Sequence, residues 1–333
     1  MQNASPFSFE NRNSIRFSVA PMLDWTDRYY RRFARLLTKR SKLYTEMVVA
    51  QSLAYGDPKR HLDFSPDEHP LALQLGGSDP QQLSVACRIA EEWGYDEINL
   101  NVGCPSDRVQ SGRFGACLMA EPRLVASCVE AMVKGCSVPV SVKTRIGIDH
   151  QDDYPFLNRL AEDVMQAGCD HLIIHARKAW LKGLSPRENR AVPPLQYDRV
   201  RELKEAHPQW QIVLNGGIKD LEEALSHLEW IDGVMVGRAA YETPWLLHSV
   251  DQVIFGERFE EAPRNEAEAV RAFYPFIEER LAHGDQLHWM SRHLLGLFQG
   301  RRGARAYRRT LAEEALQSGA GIEIIEKALA YIE

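Results

Sequence analysis

The stretch Leu71–Gly103, LALQLGGSDPQQLSVACRIAEEWGYDEINLNVG, reads as a strand, a helix and a second strand. LALQLGG is short, apolar and closed by glycines; PQQLSVACRIAEEWG opens on proline and is amphipathic; EINLNVG is again a short strand-forming run. Two strands joined through a helix are parallel, because a parallel connection needs a crossover of a dozen or more residues. The strand signal recurs in FSVAPML from Phe17, LYTEMVV from Leu43, VSVKTRIG from Val140, HLIIHARK from His171, IVLNGGI from Ile212 and GVMVGRA from Gly233. Eight such units predict an α/β fold, a (β/α)8 TIM barrel with helices outside. The longest intervals, 43 residues from Glu97 to Val140 and 41 from His171 to Ile212, place insertions after the fourth and sixth strands. Loops there hang over the C-terminal mouth, where barrel active sites are built.

After Trp245 the strand pattern stops. From about Glu266 the stretches AEAVRAFYPFIEERLAHG, HWMSRHLLGLFQG, ARAYRRTLAEEALQSG and IEIIEKALAYIE predict a C-terminal all-helical bundle. The expected division is residues 1–255 for the barrel and 256–333 for the bundle. The chain has 333 residues, 44% hydrophobic and 26% charged, the mix of a soluble globular protein with a substantial core. Its net charge of -6 argues against bulk attraction to nucleic acid, so such a partner must meet a local patch. The N-terminal MQNASPFSFENRNSIRF lacks the apolar core of a secretory signal and no run of about 18 apolar residues occurs, so a cytoplasmic protein without a membrane partner is expected. Six cysteines without a CxxC pair are read as reduced thiols. No zinc-type spacing, Walker loop or GxSxG elbow is present, so neither metal nor ATP chemistry is expected.

Two glycine turns could carry chemistry: Asn215-Gly216-Gly217 after the seventh strand and Gly237-Arg238 after the eighth. In a barrel these two loops together form a phosphate site, since glycines let backbone N–H groups approach oxygen; the alternative is that both merely make turns. Gln74, Asn99, Asn101, Lys143, Arg145, His175 and Arg177 stand at other strand ends. A lysine or histidine on a buried strand costs free energy unless it meets an anion or a hydrogen-bonding partner. Flavin mononucleotide (FMN) would supply one, its phosphate on the glycines and its pyrimidine edge toward Lys143. Cys104, in Asn101-Val102-Gly103-Cys104-Pro105, opens the longest loop, where a protonated thiol could act as an acid; taken alone, a small buried hydrophobe is the commoner reading. From Leu287 to Thr310 there are six arginines (Arg292, Arg301, Arg302, Arg305, Arg308, Arg309) and no acid. Arginines beside Trp289 and Tyr307 suit phosphate contacts and base stacking in RNA, against the ordinary reading of a solvated helix face. Arg177, Lys178, Lys182, Arg187 and Arg190 add a second basic region at the mouth.

Together these segments resemble the tRNA-dihydrouridine synthases, nearest to synthase A. The matching stretches are Ala20-Pro21-Met22-Leu23-Asp24-Trp25-Thr26-Asp27, Leu73–Gly77, Asn99–Ser106, Val142–Gly147, His175–Trp180, Asn215–Gly217 and Gly237-Arg238. The resemblance implies an FMN-dependent reduction of uridine in the tRNA D-arm, at positions 20 and 20a, driven by NADPH. A uridine would be flipped onto the flavin, hydride would pass from flavin N5 to uracil C6, and Cys104 would give a proton to C5. The implied flavin contacts are Pro21, Met22, Leu23, Gln74, Lys143, His175, Asn215, Gly216, Gly217, Gly237 and Arg238. Asn101 would hold the uracil edge, and tRNA would meet Arg187, Arg190, Arg302, Arg305 and Arg308. No protein partner is expected, and nothing demands more than a monomer. The alternative is an FMN-dependent barrel of the ene-reductase or dihydroorotate type acting on a small molecule, which leaves the C-terminal arginines unexplained.

Overall fold

The computed structural model describes residues 15–332; residues 1–14 and 333, at the two ends of the expected domains, lie outside the described residues. Eight strands follow in turn: β1 (Phe17–Val19), β2 (Leu43–Val49), β3 (Leu71–Gly76), β4 (Glu97–Val102), β5 (Val140–Arg145), β6 (His171–His175), β7 (Gln211–Asn215) and β8 (Gly233–Val236). All neighbouring pairs are parallel, in the order β1-β8-β7-β6-β5-β4-β3-β2. Lys42 closes the ring, since its carbonyl accepts from Val19 N–H (2.9 Å) and its N–H donates to Phe17 O (3.1 Å). The fold is the expected (β/α)8 barrel.

The strands alternate in a way that an apolar-run reading understates. On β4, Ile98, Leu100 and Val102 pack outward into the core shared with the helices, whereas Glu97, Asn99 and Asn101 form the other face. β5 repeats this, with Val140 and Val142 outward and Ser141, Lys143 and Arg145 opposite. The barrel lumen is therefore largely polar on this side. A smaller apolar cluster of Tyr44, Ala72, Ile173, Val213 and Met235 fills the rest.

The helix Pro80–Trp93 illustrates how the outer layer forms. Asp79 caps it by accepting from Gln81 and Gln82 N–H (2.8 and 3.1 Å), and Gly94 ends it at φ 90° with its N–H turned back to Ala90 and Glu91 carbonyls. Leu83, Ala86, Cys87 and Ala90, at helical spacing, are its buried stripe.

Beyond β8 the described chain is helical, but more broken than expected. The first stretch splits into Glu266–Ala272 and Tyr274–Ala282, because Pro275 has no N–H for the preceding turn and starts a new helix instead. The second yields only Leu287–Ser291 and a 3-10 turn, Arg292–Leu294. Gly296 then runs so close to the barrel that a Cβ there would lie 2.6 Å from Glu242 O. Helices Ala304–Glu314 and Ile322–Leu329 follow as expected. This segment docks on the first barrel helix, Arg28–Leu37: Phe273 packs edge-on against Phe33 at 5.4 Å, and Tyr29 donates to Asp285 (2.9 Å). Among the described residues no helix is long and apolar enough to cross a membrane.

Candidate active site at the barrel mouth

The C-terminal ends of β3 to β8 converge on one rim. Asn101 and Lys143 are register partners, as are Arg145 with His175, and His175 with Asn215. Lys143 Nζ donates to Asn215 Oδ1 (3.0 Å), whose Nδ2 donates to Met235 O (2.7 Å). Gly216 (φ 111°) sits against His175: a Cβ there would fall 2.6 Å from the imidazole Cδ2. Gly217 (φ 81°) likewise leaves room only for Leu195 and Tyr197. Glycine is thus required beside the lysine and histidine, whatever occupies the rim.

Cys104 is half-buried, and its thiol lies 3.5 Å from Ser106 Oγ. Its backbone is held from below, because Asn101 Oδ1 accepts from both Gly103 N–H (3.1 Å) and Cys104 N–H (2.9 Å). A column of side chains continues down the lumen. Asn101 Nδ2 donates to Gln74 Oε1, Gln74 Nε2 to Asn99 Oδ1 and Asn99 Nδ2 to Ser141 Oγ, each at 2.8 Å. Ser141 and Tyr44 hydroxyls then donate to Glu97 Oε1 (2.5 and 2.8 Å), and Glu97 pairs with Lys42. In this arrangement Gln74 and Asn101 engage each other and the Cys104 turn. The lower half of the column, Lys42, Tyr44, Glu97 and His171, the last with Nε2 3.4 Å from Glu97 Oε1, went unread in the sequence. Its signal was the acid and two amides at alternate positions of EINLNV.

The electrostatics of the rim are one-sided. Burial, reinforced by Arg145, lowers the Lys143 amino group to about 7. Burial and four surrounding cations (Arg145, Lys143, Arg177 and Arg190) push His175 well below its ordinary value, so it is neutral. Burial also brings Arg145 down to about 10, and Arg177 and Arg190 are lowered by burial and by Arg238 beside them. The charges that lower these groups are chiefly one another, with Arg238, so this part of the rim suits an anion; Lys178 of the same loop is paired with Asp152 (2.9 Å). The Cys104 sulfur lies within electrostatic range of Lys143, Arg145 and Arg190.

Of the remaining expected residues, Pro21 and Met22 are half-buried on the β1 turn and Leu23 is 64% exposed. Arg238 is exposed and donates to Arg190 O at 3.4 Å, bringing the eighth-strand turn to the sixth-strand loop; Arg187 is exposed there too. All six cysteines are free thiols.

The C-terminal basic run is less uniform than its sequence. Arg292 pairs with Asp27 (2.5 Å) and Arg301 with Glu266 (2.7 Å), so acids distant in the chain neutralise two of the six. Tyr307, expected to offer a stacking face, is fully buried, packs on Phe298 and donates to Leu294 O (3.3 Å). It belongs to the core because it faces inward at helical spacing from Ala304 and Leu311. Trp289 stays 38% exposed. Arg305 and Arg309 are exposed and Arg308 is half-buried; Arg302, also exposed, has a partner of its own.

Residues 18–333 match the family described as Dihydrouridine synthase (Dus). The tRNA-dihydrouridine(20/20a) synthase of Shewanella oneidensis is 56% identical over 312 residues, covering 94% of this chain and 92% of that protein. Those of Vibrio vulnificus and Salmonella typhimurium are each 55% identical, covering 96% of this chain and 98% and 96% of theirs. Among solved structures, a 2-naphthoyl-CoA reductase complex superposes with a TM-score of 0.56 at 11% identity, over 71% of this chain and 50% of that one, a likeness of fold.

Proposed function

The chain belongs to the dihydrouridine synthase family, and from that premise we propose that it reduces the C5–C6 double bond of D-loop uridines 20 and 20a in tRNA, with FMN as cofactor and NADPH as reductant. The observation that carries this reading is the joining, at one rim, of a cluster of cations (Lys143, Arg145, Arg177 and Arg190 around His175) to a thiol on a braced turn. FMN fits what the rim offers. Its phosphate suits Gly216, Gly217, Gly237 and Arg238, where a Cβ at either of the first two would fill the cradle. Lys143 and Gln74 would face the ring, His175 and Asn215 would flank it, and Pro21, Met22 and Leu23 would cover it. When bound, FMN supplies the hydride that adds to uracil C6.

This chain's own residues do the rest. Cys104 holds a proton on Sγ and delivers it to uracil C5. Asn101 sets the Cys104 turn through Oδ1 and, with one Nδ2 hydrogen given to Gln74, offers the second to the uracil edge. Arg187, Arg190, Arg302, Arg305 and Arg308 bind the tRNA backbone, steering a polyanion to a protein whose total charge is -6.

The deciding experiment is a visible spectrum of the purified protein, followed anaerobically by NADPH and then unmodified tRNA. A flavin band that bleaches with NADPH and returns with tRNA is expected. A band that bleaches but does not return would favour a small-molecule flavin enzyme, and a colourless protein that cannot be reconstituted would end both readings.

Two further results are expected. Because Lys143 lies near 7 in the free protein, it is largely neutral at pH 8 to 9, whereas the electron-rich pyrimidine edge that would face it, with the phosphate dianion in the same mouth, favours its protonated form, so binding draws a proton onto it. FMN affinity of the apoprotein should therefore fall as pH rises above 7, by up to about tenfold per pH unit, and Lys143→Met should flatten that dependence. Titration of apoprotein with FMN at several pH values checks this; a parent profile as flat as the variant's would remove Lys143 from the cofactor site. For RNA, Arg305→Ala with Arg308→Ala should weaken tRNA binding and lower its salt slope by about one to two phosphate equivalents. An unchanged slope would take these arginines out of the interface.

A further inference from the structure

Two loops of the mouth are sewn together by side chains that donate to backbone carbonyls of both. Gln110 stands in the short helix Asp107–Ser111, just after Cys104. Its Nε2 donates to Pro105 O and to Leu181 O, both at 2.8 Å, so one carboxamide nitrogen spends both hydrogens on two different loops. Arg145 makes a second bridge, donating from Nε to Gly103 O (2.8 Å) and from Nη1 to Lys178 O and Asn189 O (3.0 and 3.1 Å). Asn189 is fully buried and folds the sixth-strand loop on itself. Its Oδ1 accepts from Trp180 N–H (2.8 Å) and its Nδ2 donates to Trp180 O (3.0 Å). The basic loop is thus braced internally by Asn189 and fastened on both sides of Cys104, at Gly103 and at Pro105.

We propose that Gln110 is a positioning residue for the reduction: by tying the Cys104 loop to the basic loop, it makes the RNA contacts at Arg187 and Arg190 fix where the Cys104 thiol stands relative to the bound uridine. This rests on the tRNA reading above. Proton delivery requires the thiol near one carbon of a base that is held by the RNA backbone, so the acid must be referenced to the surface that grips the backbone. Gln110 acts through the Pro105 and Leu181 carbonyls that its Nε2 holds.

The test compares Gln110→Met, which keeps length and loses the donor, with Gln110→Lys, which restores an N–H donor at similar reach. In the Met variant the single-turnover rate at which tRNA reoxidises the NADPH-reduced holoenzyme should fall about tenfold. Reduction by NADPH and the Kd for tRNA should stay within twofold of the parent, and the Lys variant should recover most of the rate. A Met variant within twofold of the parent in the tRNA step overturns the proposal, as does a loss shared equally by the NADPH step. A second measurement needs no substitution: on the parent holoenzyme, tRNA should slow amide exchange in residues 103–113 and 180–190 together. Protection of 180–190 alone would refute the coupling. If the parent is not reoxidised by tRNA at all, the functional reading fails first and this inference with it, whereas a competent parent with an unaffected Gln110→Met fails only the inference.

Discussion

Replacing Cys104 by alanine is expected to slow uridine reduction by about 10²–10⁴-fold, the usual contribution of a positioned general acid. The loss should fall on one step only. The turn that carries the thiol is held through its backbone groups, by Gly103 and Cys104 N–H donating to Asn101 Oδ1 and Ala116 N–H donating to Cys104 O, none of which needs the sulfur. The variant should therefore stay folded, yellow and reducible by NADPH, and bind tRNA as tightly as the parent. Cys104→Ser separates acidity from packing, because a hydroxyl fills the position but is a far weaker acid; it should resemble the alanine variant. Anaerobic stopped-flow mixing of reduced enzyme with tRNA reads the step. A Cys104→Ala enzyme within tenfold of the parent would show that the proton comes from elsewhere, and a colourless one would give Cys104 a part in holding the cofactor.

The second large effect lies at the opposite end of the barrel. Glu97 is wholly buried; burial alone would raise its pKa, but Lys42 and His171, with hydrogen bonds from Lys42 and Ser141, hold it at about 2. Lys42→Met leaves that carboxylate in the lumen without its ammonium partner, and removal of one member of a buried pair costs about 3–5 kcal/mol. Thermal melting at neutral pH should show a drop of roughly 10 °C. Glu97→Gln in the Lys42→Met background should regain part of it, since a neutral amide oxygen still accepts from Tyr44 and Ser141. The sign with pH follows from the depressed carboxyl. In the parent its stabilisation is complete above the unfolded carboxylate value of about 4.3 and is lost as pH falls toward about 2. In Lys42→Met that acid-side loss should shrink, because little of the stabilisation is left to lose. A single variant that melts within 2 °C of the parent would mean that the lumen readily hydrates or protonates Glu97.

Chain order and local pattern were enough to determine the barrel. Strand signals separated by amphipathic segments dictate parallel pairing, and glycine at 216 and 217 is needed for local backbone conformations of φ 111° and 81°. The resemblance carried by Asn99–Ser106 and the later lysine, histidine and glycine motifs also named the family, which the match over residues 18–333 bears out. Tertiary structure alone decided what depends on partners far apart in sequence. Arg292 and His293 look like free members of a basic run until Asp27, 265 and 266 residues away, takes both while also capping the first barrel helix through Tyr30 N–H. Tyr307 looks like a stacking platform until the helix Ala304–Glu314 turns it into the core. Gln110 carries no signal at all, because its partners are backbone carbonyls, which every residue possesses. A sequence records which side chains are available and how they repeat. Which buried charge meets its counter-charge, and which amide bridges two loops, is set by the closure of the ring and the docking of the last helices against it.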